Sequence, residues 1–171
     1  VPNILPLECF TASEYTMQKG SYLLIFQLCE EIRQLQVGRF GSFDFAPGYY
    51  LYIGSAFGSG GLTARLRHHA RRDKPRLHWH IDYLRPHLEL LAAWTLPARV
   101  ECVWCRTAAA TTWLDVPIRG FGARDTGCVA HLFYSPQQLP DEQIRALLMR
   151  QVPAAGTTSE SGHFLLKKIA F

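Results

Sequence analysis

Residues 48–72 read GYYLYIGSAFGSGGLTARLRHHARR and change character halfway along. As far as Gly54 the stretch is apolar and tyrosine-rich, the composition of a strand. Gly58, Gly60 and Gly61 then break it. Beyond them Leu62, Leu66 and Ala70 recur every fourth residue, the spacing of one helix face, while Arg65, His69 and Arg72 fall on another. A core needs neither the hydroxyls nor the charge, so the joint between strand and helix points to an anionic partner. The glycines lack the Lys and Ser/Thr that close a P-loop, and are read as turn geometry that lets a polyanion approach.

The rest of the chain supports a globular frame for this joint. With 171 residues, 48% hydrophobic and 19% charged, it has the length and composition of one domain with a sizeable core. No apolar run reaches the length of a membrane span, and no basic flank precedes an apolar stretch at the start, so a cytoplasmic location without a membrane partner is expected. The net charge of +4 is mild, but six of the 18 Lys and Arg lie between Arg65 and Arg76, opposed only by Asp73. A merely solvated face would mix the signs; a stripe of one sign is the footprint of a polyanion.

Residues 1–18, with Pro2 and Pro6, read as a leader. GSYLLIFQLCE (20–30) is a continuous apolar run, expected to be a strand covered on both faces. IRQLQV (32–37) is expected to pair with it as a hairpin through Glu30 and Glu31, and YYLYIG (49–54) to lie beside it in the sheet. Asp73 is expected to cap a second helix with Pro75 in its first turn. Leu77, Ile81 and Leu84 would form its apolar stripe, His78, Asp82 and Arg85 would project together, and Pro86 would end it. LELLAAWTL (88–96) returns to strand character. Pro97 opens a helix with Glu101, Cys105 and Ala108 on one side, HLFY (131–134) is a last or edge strand, and DEQIRALLMRQ (141–151) is a closing helix. Residues 154–162 read as flexible, and HFLLKKIAF (163–171) has no evident place. The expectation is an α/β domain over 19–150, a small mixed and largely antiparallel sheet flanked by helices, with a tail over 151–171.

Five scattered cysteines do not make a secreted disulfide framework. Cys102-x-x-Cys105 and Cys128-x-x-His131 have spacings compatible with a tetrahedral zinc site. The preferred reading is the plainer one, of buried cysteines acting as small hydrophobes.

Gly20-Ser21-Tyr22 on one strand, Tyr52-Ile53-Gly54 on a later one and the arginine helix after it resemble the GIY-YIG nuclease superfamily. GRFGSFDFAPGYYLYIGSAFGSGGLTARLRHH, HWHIDYL (78–84) and the segment through HLFY resemble its Uri-type branch. The resemblance covers about Gly20 to Tyr134 and implies a GIY-YIG-like fold. It implies a divalent-metal-dependent DNA endonuclease in which Tyr22 and Tyr52 flank the scissile phosphate and help to position or deprotonate the attacking water. Arg65 would grip the phosphate, His69 would share the proton work, and Glu101 would hold one Mg²⁺ or Mn²⁺. His78 matches an active-site histidine of another branch less closely. Arg67, Arg71, Arg72 and Lys74 are the expected backbone contacts to DNA, with RNA left open and no organic cofactor.

The chemistry is coherent without the name. A metal ion and a guanidinium stabilise the charge that develops on phosphate oxygens. One carboxylate with waters suits Mg²⁺, and an arginine fork matches two phosphate oxygens. A tyrosine beside cations is expected to ionise more readily, and a histidine to titrate near neutrality. Each residue also has a plainer reading: the tyrosines as strand formers, Glu101 as a helix-dipole partner, His80 as an ordinary interfacial residue. Two other functions therefore stand beside the enzyme, a silent nucleic-acid-binding module and a zinc-stabilised interaction domain. The sequence departs from the family in Ser21, where isoleucine is usual, in the lack of a late asparagine, and in Thr126, where the branch leads one to expect cysteine and which weakens the zinc reading.

Overall fold

A computed structural model describes residues 18–150 and 166–171. Strand β1 (Gly20–Leu28) occupies the middle of a five-stranded sheet. On one side it pairs with β4 (Gly48–Ala56), which in turn pairs with β6 (Leu132–Ser135). On the other it pairs with β5 (Glu89–Leu96), bordered by β7 (Lys167–Ala170). Every one of these pairings is antiparallel. The apolar run of β1 is explained by its position, because alternate side chains enter two separate cores. Tyr22, Leu24 and Phe26 pack with Leu62 and Leu66 of α1 (Gly61–Ala70) and with Ile81 and Leu84 of α2 (His80–Leu84). Leu23 packs on the opposite face with Trp104 of α3 (Glu101–Ala109) and with Ile144 and Leu148 of α4 (Asp141–Met149). The expected α/β architecture, a largely antiparallel sheet flanked by helices, is present.

Four expectations are corrected. IRQLQV, as β2 (Ile32–Val37), does not pair with β1; it forms a separate two-stranded sheet with β3 (Gly41–Phe45). Only Val37 of β2 is buried, so the segment lacks the apolar side chains that a place inside a doubly covered sheet requires. The second helix starts at His80 rather than after Asp73. The Asp82 carboxylate accepts the backbone N–H groups of His78 (2.9 Å) and Trp79 (3.1 Å), fixing the helix start there and leaving Leu77 exposed. His78, Asp82 and Arg85 do not project together: His78 is exposed, while Asp82 and Arg85 are buried. Arg85 donates to the carbonyls of His69 (2.5 Å) and Ala70 (3.0 Å), neutralising the carboxyl end of α1. The third helix begins at Glu101, not at Pro97.

The unplaced end of the chain supplies β7, whose Ile169 lies opposite Ala93 of β5. The leader up to residue 17 and the stretch 154–162 lie outside the described residues.

Candidate active site

Antiparallel register places Tyr22 of β1 opposite Gly54 of β4, and Leu24 opposite Tyr52. A Cβ at position 54 would collide with the Tyr22 phenol, so the glycine that ends YIG is the space in which the Tyr22 ring lies. From there the Tyr22 hydroxyl reaches His69 Nε2 at 2.9 Å. The Tyr52 and His69 rings meet edge to face at 5.7 Å. Three residues far apart in sequence thus converge where β1, β4 and α1 meet.

This centre is dry: Tyr22, Tyr52 and His69 are all under 5% exposed. Burial raises the Tyr22 and Tyr52 pKa values well above 10, and the nearby Arg65 charge only partly offsets it while Glu101 adds to it. Burial likewise holds His69 well below 6.5, assisted by Lys74. Two expectations are therefore corrected: neither tyrosine is a ready phenolate, and His69 does not titrate near neutrality. A neutral imidazole and a protonated phenol can share this bond in either sense: Tyr22 donates to His69 Nε2 when the ring proton is on Nδ1, and accepts from it when the proton is on Nε2. In either tautomer Nδ1 is buried and has no hydrogen-bond partner among the described residues. Such an orphan costs about 1–3 kcal/mol.

Arg65 and Glu101 bring opposite charges to the edge of this centre, since both act electrostatically on Tyr22 and Tyr52. The Arg65 guanidinium stacks over Trp79 at 4.2 Å and lines an open pocket of about 210 Å³ with Gly58, Gly61 and His68. Gly60 takes the left-handed conformation (φ 83°) that turns the chain from β4 into α1. Glu101 opens α3, and its Oε1 lies 3.3 Å from His131 Nδ1.

The basic stripe divides in two. Arg67, Arg71, Arg72 and His78 are exposed and available to a polyanion. Lys74 is not: its side chain is 3% exposed and bonded to the fully buried Asp82, which also contacts His68 at 3.1 Å. Burial disfavours ionisation of Asp82, yet the Lys74 hydrogen bond and the two backbone N–H groups outweigh it and hold the carboxyl at about 2. Lys74 is thus a buried counterion, and the expected backbone contact there is corrected. His80 has a structural role, accepting from Gly122 N at 3.0 Å and stacking on Phe40. Sequence reasoning missed Trp79 and Asp82 as site residues, and named His131 only as a possible zinc ligand. For Asp82 a signal existed, since an acidic residue three positions into a short helix reads as a cap partner.

Cys105, Cys128 and His131 place their ligating atoms all within 4.8 Å of one another, an arrangement able to hold a metal ion. The picture of buried hydrophobic thiols holds for Cys105, which lies in the core, and is corrected for Cys128, which is half-buried, and Cys102, which is exposed. Cys102 lies one turn before Cys105 on α3, and its thiol contacts that of Cys128. Thr126 bonds His131 Nε2 through its hydroxyl at 3.2 Å.

The fold and this cluster define a small antiparallel α/β domain with a buried tyrosine–histidine pair between an arginine and a glutamate. The family model described as "Domain of unknown function DUF123" matches residues 21–152, and the chain belongs to that family. No curated protein and no solved structure matches it. Among the described residues, no helix is long and apolar enough to cross a membrane.

Proposed function

We propose that the chain is a divalent-metal-dependent DNA endonuclease of the GIY-YIG, Uri-like type, with its active centre at Tyr22, Tyr52, Arg65, His69 and Glu101. The observation that carries this reading is the Tyr22–His69 hydrogen bond, held dry and flanked by Arg65 and Glu101. Glu101 offers a hard oxygen ligand at a partly open position, 15% exposed, which fits Mg²⁺ or Mn²⁺. Such an ion would neutralise charge building on the phosphate during in-line displacement.

The chain's own residues supply the remainder. Arg65, held flat by Trp79, presents a preformed fork to two phosphate oxygens without ordering a long side chain during the reaction. In the His69 tautomer protonated at Nδ1, Tyr22 takes a proton from the attacking water as its own hydroxyl proton passes to Nε2, so no free phenolate is required. Tyr52 packs against the same imidazole and keeps water from its far side. Arg67, Arg71 and Arg72 hold flanking phosphates, contacts that confer affinity without sequence preference.

The depth of the tyrosines, 3% and 4% exposed, favours one competing reading, a nucleic-acid-binding module in which both are simply core. Labelled duplex, single-stranded and branched DNA, with RNA as a further arm, would be incubated with Mg²⁺ or Mn²⁺ and wild type, Glu101→Ala or Arg65→Ala, and binding measured on the same samples. Cleavage by wild type alone, with both variants still binding, supports the enzyme. Binding by wild type without cleavage of any substrate refutes it in favour of the silent module.

A further inference from the structure

The second constellation of this domain uses different chemistry. Thiolates and imidazole are soft or borderline ligands, poorly suited to Mg²⁺ and well suited to zinc. Cys105 and Cys102 come from the first turns of α3, while Cys128 and His131 come from the loop that leads into β6. Parts of the chain more than 20 residues apart in sequence therefore bring Cys105, Cys128 and His131 within 4.8 Å. Packing of apolar thiols does not require an imidazole at the same point, nor an exposed cysteine thiol turned to contact Cys128.

We propose that Cys102, Cys105, Cys128 and His131 bind one structural zinc ion, and that this ion positions Glu101 through His131. Three thiolates and an imidazole make a closed tetrahedral set with no vacant place for substrate, the pattern of a structural site. Zinc-ligating histidines commonly give their other ring nitrogen to a carboxylate, which fixes both the tautomer and the ring orientation. Here Glu101 Oε1 already faces His131 Nδ1 at 3.3 Å. That assigns the ion to Nε2, the nitrogen now bonded to the Thr126 hydroxyl at 3.2 Å. The Thr126 hydroxyl would yield Nε2 to the ion and is not itself a ligand, so its presence where a cysteine was expected does not empty the site. One carboxylate oxygen of Glu101 would be held by His131, leaving the other for the ion of the proposed reaction. Only this last link rests on the endonuclease reading; zinc binding itself does not.

The test begins with the metal content of wild-type protein purified in reducing buffer without added metal. About one zinc per chain is expected. Replacement by Co²⁺ should give the thiolate-to-metal charge-transfer absorption that oxygen ligands do not produce. Cys102→Ser, at an exposed position, should keep the fold by circular dichroism yet surrender its zinc to a chelator at least about tenfold faster, as expected for loss of one of four ligands. Cys128→Ser should lose the ion altogether. Wild-type protein that neither carries zinc nor takes up Zn²⁺ or Co²⁺ overturns the proposal, as does a Cys128→Ser variant that retains a full equivalent. The link to Glu101 is read by Mn²⁺ binding, followed by its electron paramagnetic signal in zinc-loaded and zinc-stripped protein. Weaker Mn²⁺ binding after stripping supports the link, and unchanged binding refutes it. If zinc-loaded protein cuts no nucleic acid, the endonuclease reading fails while the zinc measurements still stand.

Discussion

His69→Gln isolates the most unusual group in the molecule. In the unfolded chain this imidazole titrates near about 6.5; in the folded protein burial holds its pKa well below that value. A histidine whose folded pKa is depressed contributes stability that is complete above the unfolded value and is lost as pH falls from it toward the folded one, because the unfolded chain binds the proton first. Between about pH 7.5 and about pH 5.5, a fully neutral buried imidazole forfeits about 1.4 kcal/mol. Glutamine can still accept the Tyr22 hydrogen bond and does not titrate. His68, His80 and His131 also have depressed values, but they are common to both proteins and cancel in the difference. Asp82, held at about 2, does not titrate in this window. Urea unfolding followed by tryptophan fluorescence should therefore show wild type losing about 1.4 kcal/mol more than the variant between the two pH values. Equal losses would refute the placement of a neutral, buried imidazole at this point.

Lys74→Met leaves Asp82 charged and buried without its cation, and should lower stability by about 3–5 kcal/mol in the same urea assay. A loss below about 1 kcal/mol would mean that Lys74 lies at the surface, where ion pairs contribute little. Arg71→Ala and Arg72→Ala should leave the melting temperature unchanged. If the chain binds DNA as proposed, each should reduce the slope of log affinity for duplex DNA against log salt by about 0.9, and unaltered slopes would remove these arginines from the proposed contacts. Gly54→Ala forces a methyl group into the Tyr22 phenol, so it should lower the melting temperature and displace Tyr22 from His69; a wild-type melting curve would contradict the packing described.

The strands were readable where one residue pattern admits one environment. β1, β4 and β5 carry apolar side chains on both faces, and only the interior of a doubly covered sheet accepts them. β2 misled because alternation specifies a strand without specifying its partner; a polar ribbon finds a partner in its own hairpin more easily than in the core. α2 misled because apolar spacing continued through Leu77, whereas the helix start is set by the Asp82 carboxylate, and capture of two backbone N–H groups has no periodicity. Tyr22, Tyr52 and His69, singled out through motif resemblance, lie together, with Arg65 and Glu101 near enough to act electrostatically on the tyrosines. Their ionisation was misjudged, because a charge beside a tyrosine is visible in sequence and the depth of its burial is not. Lys74 illustrates the same limit: in a run of basic residues, nothing local distinguishes the one that turns inward.

The strand at Lys167–Ala170 has a consequence for handling the protein. It shields the outer border of β5, whose backbone donors and acceptors would otherwise stand open as a template for another chain. Two of its four residues are lysines, and Lys168 pairs with Asp141 of α4. Lysines on a border strand discourage a further strand from adding beyond it. A variant shortened before residue 167 would keep the geometry of the proposed active centre, which lies on the β1–β4 side, and yet would form oligomers through edge-to-edge pairing. Loss of solubility on trimming would then be a symptom of an uncovered border, not of an unfolded site.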